Sequence, residues 1–420
     1  MSRWGLARWA SGAATVFSVA CAPASTGAPP APAPGPTAGS PPALYDDHAA
    51  QGMAGAPAPP APPPLGTAPA CAPGAPCGGP PPVAAPSASS TPPPPLPPPK
   101  PGTVRGGLAR GEATPADAAL YEGDQAYFAD DYVKAKSAYA KAKKLAPQDP
   151  APQVGLSRVA LAESGVPTDY AAAPKNKKVS ALLKQVDAVL KAHADYGPAF
   201  VERGRLELIL GEADKALAAL EKGVSLEPND PEAHSALGVA LLATGKADQA
   251  LDRFRKAAEL DRDNPSRLTN LGTAYMMRGR VEDAIKSYER AVLLAPNDAR
   301  ARSDLGTAYL AANRPDKALD NLKKAVALAP DKATYLSNLG YAHQQRGDLD
   351  LAIKTYRDAL KKDAKLGSAW INLGTAQAQK GDYDEAEKSF NKALSLDPTD
   401  PRAKANLEEL ADLRKKKPTK

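Results

Sequence analysis

Four histidines, three cysteines and one recurring asparagine are the side chains with which this 420-residue sequence would do chemistry. The histidines are His48, His193, His234 and His343, and none stands at metal-ligand spacing from another or beside a nucleophile. Cys21, Cys71 and Cys77 all lie in the N-terminal segment, so a zinc site or disulfide framework is excluded from the rest of the chain. Cys71 and Cys77 are free to bridge in an oxidising compartment, though nothing requires it. No zinc-protease helix motif, phosphate-binding loop, nucleophile elbow or dinucleotide turn is present. Acidic residues follow helical surface spacing, as in Glu282 and Lys286, and read as solvated pairs four apart. The chain is therefore expected not to be an enzyme and to use no metal, no cofactor and no small-molecule substrate.

The asparagine is different. Asn270, Asn338 and Asn372 each precede Leu-Gly, Asp304 stands at the corresponding place between them, and Asn406 follows. A primary amide offers two donors and an acceptor, so it can pair with the backbone of an extended peptide without reading its sequence.

The elements that must position these residues follow from a period. Gly204, Gly238, Gly272, Gly306, Gly340 and Gly374 are spaced 34 residues apart, and Ala216, Ala250, Ala284, Ala318, Ala352 and Ala386 keep the same interval. Four residues after each alanine comes a bulky side chain: Leu220, Phe254, Tyr288, Leu322, Tyr356 and Phe390. Pro228, Pro296, Pro330 and Pro398 close four units, and Arg262 and Ala364 stand at that place in the others. Each unit reads as two amphipathic helices, with the small residues letting their backbones approach. Gly211, Gly245, Gly279, Gly347 and Gly381, with Asn313 once, stand where a left-handed residue ends the first helix.

In spacing and residue type this pattern resembles the tetratricopeptide repeat. Six units, 197–230, 231–264, 265–298, 299–332, 333–366 and 367–400, match without insertion. Residues 116–149 make an earlier unit, with Gly123, Ala135, Tyr139, Ala142 and Pro147. A degenerate unit over 150–196 has helices at Val154–Glu163 and Val179–Ala194 around an insert, Ser164–Lys178. Residues 401–414 read as a capping helix with Leu407, Leu410 and Leu413 turned inward, and 415–420 as a basic tail. Trp370 reads as packing. The fold class is all-α. The resemblance implies a right-handed solenoid of about eight repeats in a domain over 114–414, with a concave groove lined by the first helices.

Positions two, five, six, nine and twelve of each first helix are expected to face that groove. They include Arg300, Thr273, Thr307 and Tyr341 beside Asn270, Asp304, Asn338, Asn372 and Asn406. Serine, threonine and asparagine are mediocre helix formers, so their recurrence at one angular position needs a cause. Two causes stand level: bonds within the solenoid, a habit of repeats of this kind, or a ladder for an extended peptide. Ala236 and Glu202 interrupt the series upstream, which confines any ladder to the C-terminal half. A clamp for a peptide carboxylate ranks lower, with only Arg300 and Arg402 near the required places.

Upstream of the repeats, 29 of the 80 residues from Ala22 to Pro101 are proline, and only Asp46, Asp47 and Lys100 are charged. Such a stretch buries too little apolar surface to offset its chain entropy, so 22–113 is expected to be a disordered, Pro/Ala-rich linker biased to polyproline II. Before it, Arg3 and Arg8, a weakly apolar run Ala10–Ala20 and small residues make an export signal over 1–21. Ser18-Val19-Ala20-Cys21 resembles a bacterial lipobox, with Ser18 where leucine is usual; lipidation would then fall on Cys21. The alternative is cleavage after Ala24.

The net charge of +6 is not a nucleic-acid stripe, because residues 102–413 hold 45 basic and 45 acidic side chains and the excess lies in the tail. The expected function is a protein–protein interaction scaffold of the bacterial cell envelope, anchored to the membrane through Cys21 and facing the periplasm. It would bind an extended segment of another envelope or secreted protein. Soluble periplasmic or secreted export is the alternative location. The alternative function is a substrate-presenting subunit of a separately encoded envelope enzyme.

Overall fold

The computed structural model describes residues 100–168 and 170–416, which form seventeen α-helices and no strand. The export signal, Cys21, Cys71, Cys77, most of the linker and the last four residues of the tail lie outside them. The helices pair as α1 (Pro115–Phe128) with α2 (Tyr132–Leu145), α3 (Ala151–Glu163) with α4 (Lys177–Ala192), and α5 (Gly197–Ile209) with α6 (Ala213–Leu226). Next come α7 (Pro231–Ala243) with α8 (Ala247–Leu260), α9 (Pro265–Met277) with α10 (Val281–Leu294), and α11 (Ala299–Ala311) with α12 (Pro315–Leu328). The last pairs are α13 (Ala333–Gln345) with α14 (Leu349–Lys362) and α15 (Gly367–Lys380) with α16 (Tyr383–Leu396), and α17 (Pro401–Lys416) caps the array.

Local chemistry sets these bounds. Asp230, Asn264 and Asp298 stand before α7, α9 and α11 and accept from the backbone N–H of Glu232, Ser266 and Arg300 at 2.8, 3.0 and 2.8 Å. Pro231 and Pro265 occupy the first helical position, where no N–H is needed. The turn into the second helix needs a left-handed residue; Gly279 supplies it at φ +68° and Asn313 at φ +55°.

Each helix packs on its chain neighbours, and contacts beyond them join first helix to first helix, as between α1 and α3, α5 and α7, or α11 and α13. That crowding on one side curves the stack into a solenoid with the first helices on its concave face. At the first-helix glycines the nearest neighbour across the unit is a side chain of the second helix, whereas the second-helix Gly223 lies against backbone, with a Cβ there 3.3 Å from Val201 N. A Cβ on Gly272 would lie 2.6 Å from Tyr288 Cε1, and one on Gly374 would lie 2.6 Å from Phe390 Cε1. The glycine is the floor on which the aromatic of the same unit lies. Tyr139, Tyr356, Phe254 and Phe390 are among the largest fully buried side chains.

Three local features differ from the sequence reading. In the cap, Ala403 and Leu410 are buried, whereas Leu413 is 36% exposed, because α17 is the last helix among the described residues and no further unit packs over it. The insert between α3 and α4 is tied down: Ala171 and Ala173 donate backbone N–H groups to Leu208 and Ile209 at the end of α5, at 2.9 and 3.1 Å. Most consequentially, the expected linker over 22–113 ends sooner. Residues 100–113 fold back onto the domain and bury Leu108 and Ala109 in its first core cluster.

Candidate functional site

The groove has two unlike halves. In the C-terminal half, from α9 to α17, position five of the first helix is not groove wall. Thr269, Ser303, Ser337 and Ile371 are buried there, as is Ser235 on the preceding α7. Position six reaches back to these hydroxyls. Asn270 Nδ2 donates to Ser235 Oγ at 2.8 Å, and Asn338 Nδ2 to Ser303 Oγ at 3.5 Å; Asn406 Nδ2 lies 3.5 Å from Thr375 Oγ1. Asn270, Asn338 and Asn406 therefore tie successive units together. Asn270 is buried and its Oδ1 has no hydrogen-bond partner among the described residues. Asn372 is half-buried and makes no hydrogen bond among them. Asp304 lies 3.8 Å from Arg300 Nε, a pairing within one helix turn.

The other sequence-derived groove residues are partly engaged. Thr273 Oγ1 and Tyr288 Oη share a hydrogen bond of 2.9 Å, which turns Thr273 toward the second helix. Thr307 donates to Asp304 O at 2.8 Å. Tyr341 is half-buried between the third and fourth core clusters, and burial raises its pKa. Arg402 is held by its neighbour Asp400, at 2.7 and 3.2 Å, so it is not a free cation for a peptide carboxylate. Cys21 lies outside the described residues.

The N-terminal half is charged and covered. At position nine, where unit 231–264 carries Val239 and the units after it threonine or tyrosine, the first three carry Asp124, Arg158 and Arg205. With Glu202 at position six, Glu232 at position two of α7, and Arg267, they form a chain of buried ions. Arg158 Nε is 3.9 Å from Glu202, and Arg205 is 3.3 Å from Glu202 and 3.4 Å from Glu232; Arg267 closes the chain at 2.6 Å from Glu232. Burial opposes ionisation of Glu232, yet Arg267 and Arg205 hold its carboxyl below the usual value. Burial raises Asp124, against the pull of the amide of Ala109, the Tyr139 hydroxyl and Arg158.

The cover is the chain's own segment before α1. Thr103 N donates to Lys100 O at 3.0 Å around Pro101-Gly102, and Gly107 N to Val104 O at 2.9 Å around Arg105-Gly106. These two turns shape a loop whose backbone the groove then reads. Asp124 Oδ2 accepts from Leu108 N and Ala109 N at 2.7 and 2.8 Å, while its Oδ1 accepts from Tyr139 at 2.9 Å. Asp117, at position two of α1, accepts from Arg110 N and Glu112 N, both at 2.7 Å. Arg158 donates to Gly106 O at 3.0 Å, and Arg105 reaches across to Leu260 O at 2.7 Å. Sequence reasoning missed this loop because its composition continues that of the linker. The available signal was charge at position nine of three successive units.

Among the described residues no helix is long and apolar enough to cross a membrane, and no cluster of side chains is suited to a metal ion.

Family models described as tetratricopeptide repeat match residues 207–275, 266–331 and 337–401. Among solved structures, the chain is similar to one in the APC/C hetero-tetramer Cut9-Hcn1, at 16% identity and a TM-score of 0.56 over 70% of this chain. It covers 56% of that chain, a little over half its length. It is also similar to PilF of Pseudomonas aeruginosa (20% identity, TM-score 0.44, 51% of this chain and 97% of that one). A third is YrrB, described as a TPR protein with an unusual peptide-binding site (22% identity, TM-score 0.36, 46% of this chain and 99% of that one). No curated protein matches the sequence.

Proposed function

We propose that this chain, a tetratricopeptide-repeat protein, is a non-enzymatic scaffold that holds a non-helical segment of a partner protein in its concave groove and so helps an envelope complex assemble. One observation carries the reading: groove side chains at positions two and nine already hold the backbone amides of Leu108, Ala109, Arg110 and Glu112 in a non-helical segment. The C-terminal half offers neutral groups at position nine (Thr273, Thr307, Tyr341 and Thr375), and there Asn372 keeps its amide unengaged among the described residues while Tyr341 is half-buried beside it in the array. A neutral polar wall suits the backbone of an extended segment better than a charged one, because an amide pairs with a peptide group without a desolvated ion.

The export signal, the proline-rich spacer and Cys21 support an anchored, periplasm-facing placement. Polyproline rises about 3.1 Å per residue, so the spacer is long enough to hold the groove well clear of a membrane surface. Mass spectrometry of the mature N-terminus checks this: acylated Cys21 is expected, a free Ser25 means soluble export, and an intact Met1 removes the export reading.

A photo-crosslinking side chain placed at Asn372 and, as control, at Val133, which is 79% exposed on α2, tests the groove. In native envelopes the groove position is expected to capture a defined partner that the control does not. Equal capture from both, or none from Asn372, would overturn the reading.

A further inference from the structure

The geometry points to a second binding site in the N-terminal half of the groove, over α1, α3, α5 and α7. Its resident ligand is the chain's own loop, and it accepts in trans a partner loop of the same chemistry: Arg-Gly-Gly followed by two apolar residues. This goes beyond the reading of the C-terminal half and does not depend on it.

Three features distinguish a bound ligand from a structural part of the solenoid. The first is how little apolar surface holds the loop. Between Pro101 and Glu112, only Leu108 and Ala109 are buried, and the rest of its hold is polar. The second is the nature of that hold. Asp124, Asp117 and Arg158 engage backbone N–H and C=O groups, which any chain with the right turn can present. The third is a specificity filter at one residue. A Cβ on Gly107 would lie 2.5 Å from Asp124 Oδ2 and 3.0 Å from Val104 O, so only glycine brings its neighbours' amides onto that carboxylate. Gly106, at φ +71°, completes the turn that aims Arg105 toward Leu260 O at the end of α8. Outside the filter, Arg110 forms a two-pronged pair with Asp149, both contacts at 2.8 Å, which selects a basic residue after the apolar pair.

The wall beneath the loop carries charge that a ligand must match. Asp124 is fully buried and Arg158 nearly so. With the loop displaced, these groups meet either water or a new peptide that repeats the same bonds. A trans ligand that reproduces them competes on equal chemical terms.

The test uses the full chain and a labelled peptide of residues 100–112 as the probe. Gly107→Ala changes only a loop residue and leaves every groove residue unsubstituted. The variant is expected to keep its helical circular dichroism and to be cut by trypsin after Arg105 faster than the wild type. It is also expected to bind the probe at least about tenfold more tightly than the wild type, whose site is filled most of the time. The same probe with alanine at the Gly107 position should not bind. Leu108→Ala, which removes the loop's apolar anchor, is the second variant and should behave in the same way. Loops that stay as protected as the wild type's, or released loops with no probe binding, would overturn the proposal. So would equal binding of the glycine and alanine probes.

Discussion

Asn270 Nδ2 lies 2.8 Å from Ser235 Oγ, a hydrogen bond that joins position six of one repeat to position five of the repeat before it. The pair is buried, so it adds to the interface between units rather than to a surface waiting for a ligand. Asn372 occupies the same position three units on and makes no such bond among the described residues. One residue type at one position of one repeat thus has two occupations, and they separate on mutation.

Asn270→Ala is expected to lower stability by about 1–2 kcal/mol, because it strands the Ser235 hydroxyl in a buried place. Asn372→Ala should change stability by less than about 0.5 kcal/mol and yet weaken partner capture. Hydrogen exchange over α9 and α15 reads the first effect unit by unit, which suits an array whose repeats need not unfold together. Loss of stability at Asn372 with capture intact would reverse the assignment.

Gly272 and Gly279 are seven residues apart and should fail for different reasons. Alanine at Gly272 drives a methyl into Tyr288 and is expected to cost about 1–3 kcal/mol through overpacking. Alanine at Gly279 meets open space but must hold φ near +68°, at about 1 kcal/mol. Leucine would not relieve it, since a Cβ on Gly306 would lie 2.6 Å from Leu322 Cγ, but in a Tyr288→Ala background the cost of alanine at Gly272 should shrink while that at Gly279 should not. Denaturant midpoints of the three single and two double variants decide it.

The repeat was legible because its signals are local and periodic. A glycine under a ring, an aspartate or asparagine before a helix and a left-handed turn residue each act within one unit, so one sequence shows all of them. The position-nine charges and the loop were not read for the opposite reason. Asp124, Arg158 and the amides of Leu108 and Ala109 acquire meaning only when residues 15 or more apart in the chain meet across the groove. Composition classed residues 100–113 with the prolines before them, though Arg105, Arg110 and Glu112 already set this stretch apart from a linker with almost no charge. Leu413 erred the other way, since its helical spacing is right but no neighbouring unit remains to cover it.

The buried ion chain should be the least replaceable part of the N-terminal half. Glu232 is matched by Arg267 at 2.6 Å and Arg205 at 3.4 Å, with both arginines largely out of water. Glu232→Ala leaves two cations without their shared partner and is expected to cost about 3–5 kcal/mol. Removing the exposed Asp358 that pairs with Lys361 should cost less than about 0.5 kcal/mol. Thermal melts of the two alanine variants compare a desolvated pair with a solvated one. Equal losses would mean that water reaches the chain of ions.

Acid should act through His234 before it acts on the paired carboxylates. His234 is buried, with Nε2 2.9 Å from Pro228 O, and burial together with Arg253 and Lys256 lowers its pKa, against the pull of Pro228 O and Asp230. Its folded pKa is below the unfolded value of about 6.5, so its stabilising contribution is complete above that value and is lost as the pH falls. Glu232, also depressed, loses its contribution only in the more acidic carboxylate range. Asp124, raised by burial, changes in the opposite direction there, gaining as the pH falls. The wild-type melt alone therefore mixes signs, and the difference from a variant isolates the histidine. His234→Gln keeps a side-chain N–H that can reach Pro228 O and removes the titration. The melting temperature of the wild type minus that of His234→Gln should fall as the pH is taken from about 7.5 to about 5. A difference that stays constant across that window would show that His234 accepts its proton in the folded chain as easily as in the unfolded one.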